Sequence, residues 1–454
     1  MSKGRVCLAY SGGLDTSTIL KWLVNDGYTV VACNIDVGQE EDWEDVEKKA
    51  LAVGAERMVI RNKQKEFVED IVFRSIQCNA IYEDRYLLGT SLARPIIARE
   101  LVNVAKEFNC DYLSHGCTGK GNDQVRFELA WHALAPGIKI IAPWRIPEFI
   151  AKFQGRADLL EYARVNNIPV SSTPKAPWSM DANLVHCSYE AGILEDPNRE
   201  PPKNLWTMTV DPVDAPDKPY HFSIDFQKGI PVKVTTEDGK EATDSVELFK
   251  LLNKIGHDNG VGRIDVVEGR YIAVLLNVEI DGGVGHLGCT KPHSAESSQI
   301  FTLVRITPTS TSLGLKSRGC YDSPGITLAR LAHIDLEGLT LDSKVRELRD
   351  TFVTTAWSRQ LYNGMYFSPE REFAENSVVF AQEGVNGTVK MMAYKGNAYT
   401  VGRSSETSNL YSEEDASMDS LDTFSPLDTS GFIAIQAIRL RKYGEAKIAQ
   451  GKTL

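Results

Sequence analysis

Nowhere in the chain do two cysteines stand as a CxxC pair, and none joins histidines at zinc-ligand spacing. The eight present (Cys7, Cys33, Cys78, Cys110, Cys117, Cys187, Cys289 and Cys320) are scattered through 454 residues, which reads as reduced thiols in a cytosolic protein rather than a disulfide framework. An excess of basic charge is missing too. Lys and Arg number 50 against 61 Asp and Glu, so the net charge of -11 disfavours a general hold on nucleic acid or anionic lipid, leaving only a local basic pocket open. Long apolar runs are absent from the N-terminus. Its first such run, Val6 to Tyr10, stops at two glycines, too short for a signal core or a membrane span, and the expected location is cytoplasmic. No repeat of fixed period appears, and the length suits two or three domains, each with a core.

What is present is a rhythm. Short β-branched or apolar runs at Val6–Tyr10, Tyr28–Ile35, Arg57–Ile60, Tyr112–His115 and Ile138–Ala142 alternate with helical patterns such as Ile19, Leu20, Leu23 and Phe67, Ile71, Val72, Ile76. This predicts an α/β fold opening with a doubly wound parallel sheet over 1–168. Prolines from Pro169 to Pro177 end the helical pattern, because each disfavours helix in the residue before it. Beyond them, 169–430 reads as α+β, with a turn at Glu237–Lys240 after alternating strand patterns at Phe222–Phe226 and Val232–Val234. A hairpin is predicted through Lys395-Gly396-Asn397. A helix over 431–454 carries Phe432, Ile433, Ile435, Ala437, Ile438 and Leu440, a stripe that needs cover from its own domain or from another subunit.

The sharpest local signal is Ala9-Tyr10-Ser11-Gly12-Gly13-Leu14-Asp15-Thr16-Ser17, between the first strand and the first helix. Glycines there let backbone N–H groups and the positive helix end approach an anion, although a plain Gly-Gly turn capped by Asp15 or Ser11 is the simpler alternative. It is neither a Walker A loop nor a GxGxxG fingerprint. A second strand-to-helix loop, Ser114-His115-Gly116-Cys117-Thr118-Gly119-Lys120-Gly121-Asn122-Asp123, leads to Arg126 and Glu128. Arg126 offers a fork for a carboxylate and Asp123 an acceptor for an ammonium; a glycine-rich turn with an Asn122 or Asp123 cap is again the alternative. His115 reads as a hydrogen-bonded core residue, Cys33 and Cys117 as inert, and Glu40–Asp45 as the acidic start of a helix.

The first loop resembles the Ser-Gly-Gly-x-Asp-[Ser/Thr] motif of the N-type ATP pyrophosphatases. With Tyr82–Pro95, the second loop and Lys175–Asp181, the chain resembles the argininosuccinate synthases, particularly their animal-like form, from its first residues to its last thirty. The resemblance implies ATP-dependent ligation of citrulline and aspartate to argininosuccinate through a citrullyl-adenylate, in arginine biosynthesis or the urea cycle. It implies ATP contacts from Ala9 to Ser17, at Ile35, and from Ser114 to Asn122, with magnesium accompanying ATP through Asp15. Citrulline would meet Tyr86, Ser91, Asn122, Arg126, Ser179, Ser188, Glu268 and Tyr321; aspartate would meet Thr118, Asn122 and Asp123. Asp15, Asn122, Asp123 and Arg126 would carry the chemistry. It also implies a synthetase and multimerisation role for 169–430, an oligomerisation helix at 431–454 and a homotetramer.

One segment departs from the pattern. Ala273 to Leu313 separates Val261–Ile272 from Gly314–Tyr321, which are continuous in the family. It has five charged residues (Glu279, Asp281, Lys291, Glu296, Arg305) and no recognisable motif. It reads as a lineage-specific loop or, by preference, a translated intervening sequence that leaves the flanks undisturbed; because of it, the alternative function is a catalytically impaired ATP- and amino-acid-binding homologue.

Overall fold

The computed structural model describes residues 2–119, 121–169, 178–271, 316–417 and 428–451. Lys120, the proline-rich junction Thr173–Pro177 and the whole of Ala273–Leu313 lie outside the described residues. Five strands, β1 (Arg5–Ala9), β2 (Thr29–Asp36), β3 (Arg57–Asn62), β4 (Tyr112–Ser114) and β5 (Lys139–Ile141), form a parallel sheet in the order β3-β2-β1-β4-β5. Val6, Cys7 and Leu8 in β1 are all fully buried, as a central strand covered by helices on both faces requires. The expected strands and helices are found, and with them the doubly wound fold. The helix Leu14–Asn25 turns Ile19, Leu20 and Leu23 inward. Asp42 caps the acidic start of Trp43–Val53 by accepting from the Asp45 N–H at 3.0 Å.

Two antiparallel sheets follow. One orders β10-β9-β8-β13-β14, built from β8 (Tyr220–Gln227), β9 (Ile230–Thr236), β10 (Glu241–Ala242), β13 (Gly387–Tyr394) and β14 (Asn397–Ser404). Alternation gives it a buried face: Phe222, Ile224 and Phe226 from β8 meet Val389, Met391 and Ala393 from β13 in the core. Lys395 and Gly396, both at positive φ, make the predicted tight turn into β14. The turn at Glu237–Lys240 is also present, but it joins β9 to β10; β8 and β9 are joined at Lys228-Gly229. The other sheet orders β11-β12-β7-β6, from β6 (Ser179–Asn183), β7 (His186–Glu190), β11 (Arg263–Gly269) and β12 (Lys316–Asp322).

One buried cluster runs through both parts of the chain, from Cys7, Val31 and Leu101 to Phe249, Leu328 and Trp357. Polar ties reinforce it. Thr354 donates to the Cys78 carbonyl at 2.7 Å and Ser358 accepts from the Ile81 N–H at 3.1 Å. Arg349, fully buried, is paired with the buried Glu337, so the helical run ending at Tyr362 is held from below. Breaking one side of such a pair costs on the order of 3–5 kcal/mol, since the other charge is left without a partner.

Candidate active site

Strand order reverses between β1 and β4, and in open α/β sheets that crevice, beyond the carboxyl ends of the strands, is where ligands bind. Both glycine loops leave from it. The first runs off β1 into Leu14–Asn25; Gly13 occupies the N-cap position and no side chain caps the first turn. Ser11 Oγ and Thr16 Oγ1 lie 3.1 Å apart, Tyr10 and Ser17 hydroxyls 3.0 Å apart, and Lys49 donates to the Gly12 carbonyl at 2.5 Å. Asp15, half-buried, makes no hydrogen bond or ion pair among the described residues, so it does not cap the turn. The second loop leaves β4 and enters the helix Asp123–Leu134. A Cβ on Gly116 would lie 2.8 Å from Thr16 Cγ2, so the two loops touch, and only glycine permits that approach.

Side chains around the second loop divide into committed and uncommitted groups. His115 is buried, its Nε2 lies 2.9 Å from Glu128 Oε1 and its Nδ1 accepts from the Cys117 N–H at 3.2 Å; any ligand contact there falls to the backbone. Burial pushes the Cys117 thiol far up, which keeps it unreactive. The seven described cysteines are free. Ile35 is buried at the end of β2 in the core, and its carbonyl accepts from Gln39 at 2.9 Å. By contrast Ser91 Oγ, Ser114 Oγ, Arg94 Nε, Asn122 Oδ1 and Glu268 Oε2 are buried without a hydrogen-bond partner among the described residues. Buried polar atoms are ordinarily satisfied, so those of Asn122 and Glu268, both tied to Tyr362, are open to a polar ligand, while other unsatisfied atoms are spread from Arg5 to His333.

Of the residues expected to meet amino acids, Tyr86, Asn122, Asp123, Arg126, Glu268 and Tyr321 join one network through Tyr362, whereas the Ser91, Ser179 and Thr118 side chains make no hydrogen bond among the described residues. Arg126 donates to Asp123 Oδ1 at 2.8 Å and to the Tyr362 carbonyl at 3.0 Å, and its guanidinium lies 5.0 Å from the Tyr362 ring centroid. Arg94 bridges Asp123 Oδ2 at 2.8 Å and Asp181 Oδ2 at 2.6 Å. Burial opposes the charge on Asp123, but Arg94 and Arg126 overcome it and hold the carboxyl below the usual range. Tyr86 stacks on Tyr321 at 4.2 Å, and Tyr321 donates to Glu268 Oε1 at 2.9 Å. Ser188 faces Tyr321 in the register of β7 and β12 and donates to the Asp181 carbonyl at 3.5 Å. Ser179 is exposed on β6, opposite Glu190. Desolvation, with help from Glu190, raises Glu268 to about 7 against the hydrogen bonds of Tyr321 and Tyr362 and the charge of Arg126. Arg94, Asp181, Glu190 and Tyr362 were not singled out from sequence; Arg94 and Asp181 lie inside the quoted stretches, whereas Tyr362 carries no local signal.

Arginosuccinate synthase domain models match this architecture throughout: the N-terminal HUP domain over residues 5–169 and the C-terminal domain over 178–277 and 309–443. The chain belongs to the argininosuccinate synthase family. It is therefore an enzyme of that class, a ligase of arginine biosynthesis that uses ATP. Argininosuccinate synthase of Saccharomyces cerevisiae is 50% identical over 459 residues, covering 100% of both chains. That of Schizosaccharomyces pombe is 51% identical over 445 residues, 98% of each, and that of Homo sapiens 46% over 443 residues, 97% of each. The family's C-terminal model passes over 278–308, inside the segment that departs from the pattern.

Proposed function

We propose that the chain joins L-citrulline and L-aspartate into argininosuccinate through a citrullyl-adenylate. The citrulline ureido oxygen attacks the α-phosphorus of ATP and pyrophosphate leaves; the aspartate amine then displaces AMP. The observation that carries this reading is the contact of the two glycine loops at Gly116 and Thr16, which sets a phosphate cradle beside the Asn122, Arg126 and Glu268 network. Loop residues Ala9 to Ser17, with the backbone of the second loop, receive ATP. Tyr86, Ser91, Asn122, Arg126, Ser179, Ser188, Glu268 and Tyr321 receive citrulline, and Thr118, Asn122 and Asp123 receive aspartate. Asp15, uncommitted beside the cradle, fits a ligand of magnesium, which would neutralise charge on the departing pyrophosphate. No protein nucleophile is needed: holding three reactants in place can remove roughly 7–11 kcal/mol of barrier.

Residues 1–168 serve as the ATP domain, 169–430 as the synthetase and multimerisation domain, and 431–454 as the oligomerisation helix of a cytoplasmic homotetramer acting in arginine biosynthesis or a urea cycle. No described helix is long and apolar enough to cross a membrane. The test is incubation with citrulline, aspartate and Mg-ATP. Equal amounts of AMP, pyrophosphate and argininosuccinate support the reading. AMP release without either amino acid overturns it, and binding without turnover points to an impaired homologue.

A further inference from the structure

Tyr362 ends the helix Thr355–Tyr362 in the C-terminal half of the chain, yet it touches three residues of the proposed citrulline site on two other elements. Its hydroxyl accepts from Asn122 Nδ2 at 3.2 Å and faces two acceptors, the Gly269 carbonyl at 2.9 Å and Glu268 Oε1 at 3.3 Å, which share its single proton. Its carbonyl takes the Arg126 Nε–H at 3.0 Å, and its ring lies under the same guanidinium. Tyr82 stacks on the ring at 3.8 Å with planes 10° apart, so the ring cannot swing without breaking that stack. The following turn is seated as tightly: Gly364 has φ +78, and a Cβ there would lie 2.8 Å from Arg126 Cα. A residue whose ring is held by Tyr82 and Arg126 and whose polar atoms join Arg126, Asn122 and Glu268 sets their mutual geometry.

Resting on the citrulline reading above, we propose that Tyr362 is a positioning residue that registers the Glu268 carboxylate against the Arg126 guanidinium for the citrulline amino-acid head group. Glu268 acts as the carboxylate, accepting from the substrate ammonium, while Arg126 offers positive charge to the substrate carboxylate. Groups facing Glu268 are Tyr321 on β12, Glu190 on β7, Arg126 on the helix Asp123–Leu134, Tyr362, and the phenols Tyr82 and Tyr86. Among them Tyr321 and Tyr362 donate to its Oε1, and each donor favours the ionised form.

Tyr362→Phe keeps the ring, its stack and the Arg126 contact, and removes only the hydroxyl. The Michaelis constant for citrulline should rise about tenfold, equivalent to about 1.4 kcal/mol, while that for ATP stays within about twofold. The acid limb of kcat/KM for citrulline should move up by about half a unit, as expected when one hydrogen bond to a carboxylate is lost. In a Glu268→Gln background the same change should move neither quantity further, measured by citrulline binding in a calorimeter where turnover is low. Equal rises for citrulline and ATP together with a lowered unfolding temperature would show general support only and overturn the proposal, as would an acid limb that stays in place or moves down. A wild-type enzyme whose AMP release ignores citrulline would overturn the underlying reading and this proposal with it. Normal citrulline dependence with an unshifted Tyr362→Phe overturns the proposal alone.

Discussion

Replacing Asp15 by asparagine keeps the side chain's shape and removes its charge, at a position with no described partner to lose. Asp15→Asn should therefore leave the unfolding temperature unchanged and lower turnover roughly 100-fold, the scale of removing one electrostatic stabiliser from a reacting phosphate. Magnesium titration at fixed ATP checks it; near-normal turnover at limiting magnesium would remove Asp15 from the metal. Arg126 makes a different demand, since its planar fork holds Asp123, the Tyr362 carbonyl and the Tyr362 ring together, which a lysine ammonium cannot do. Arg126→Lys should raise the citrulline requirement on the order of 100-fold and the ATP requirement far less. Initial rates with each substrate varied check this, and the reverse ordering would move Arg126 to the phosphates. Both residues could be picked out in sequence because each stands in the first turn of a helix that directly follows a glycine-bearing loop. The internal cost of Arg126 was not: two of its nitrogens are already committed, a fact that depends on a tyrosine 236 positions away. Arg94 was equally opaque, since its meaning comes from Asp123 and Asp181 arriving from separate elements.

Elements of the first sheet could be read because each parallel strand is a short apolar run and each crossover helix has its own period. The later sheets could not be ordered, because β13 pairs with β8 across more than 150 intervening residues and nothing local announces a partner. Lys228, at positive φ in the β8–β9 turn, carries little turn signal in sequence, since lysine is uncommon in that conformation. The terminal helix Asp428–Ala449 exposes its stripe: Phe432, Ile433, Ile435, Ile438 and Leu440 are each about 60–70% accessible, so docking within the described chain does not cover them. Deleting residues 431–454 should give assemblies smaller than the full chain's, or aggregates. Sedimentation reads the outcome, and an unchanged oligomer would assign the contact elsewhere.

Across the whole molecule, the departure from the family lies at one hairpin. Strands β11 and β12 pair from Arg263 with Asp322 to Gly269 with Lys316, so the chain leaves and re-enters the sheet at the same rung, one residue from Glu268. Joining Ile272 to Gly314 would leave Arg270, Tyr271, Ile272, Gly314 and Leu315 as a five-residue hairpin loop, an ordinary length. Shortening the connection to that extent favours closure by about 2 kcal/mol. The deletion should raise the unfolding temperature by a few degrees and increase citrulline-dependent turnover; a less stable and less active product would mean that the 41 residues from Ala273 to Leu313 are an evolved part of the enzyme. The shared core has a separate consequence. Phe73 of the first half lies 6.1 Å from Phe249 of the second, ring to ring, within a cluster that also takes in Trp131 and Trp357. The N-terminal domain is thus no detachable cassette: transplanted onto another partner it would carry an uncovered apolar flank, and recombination at the junction would succeed only between parents whose two parts already interlock.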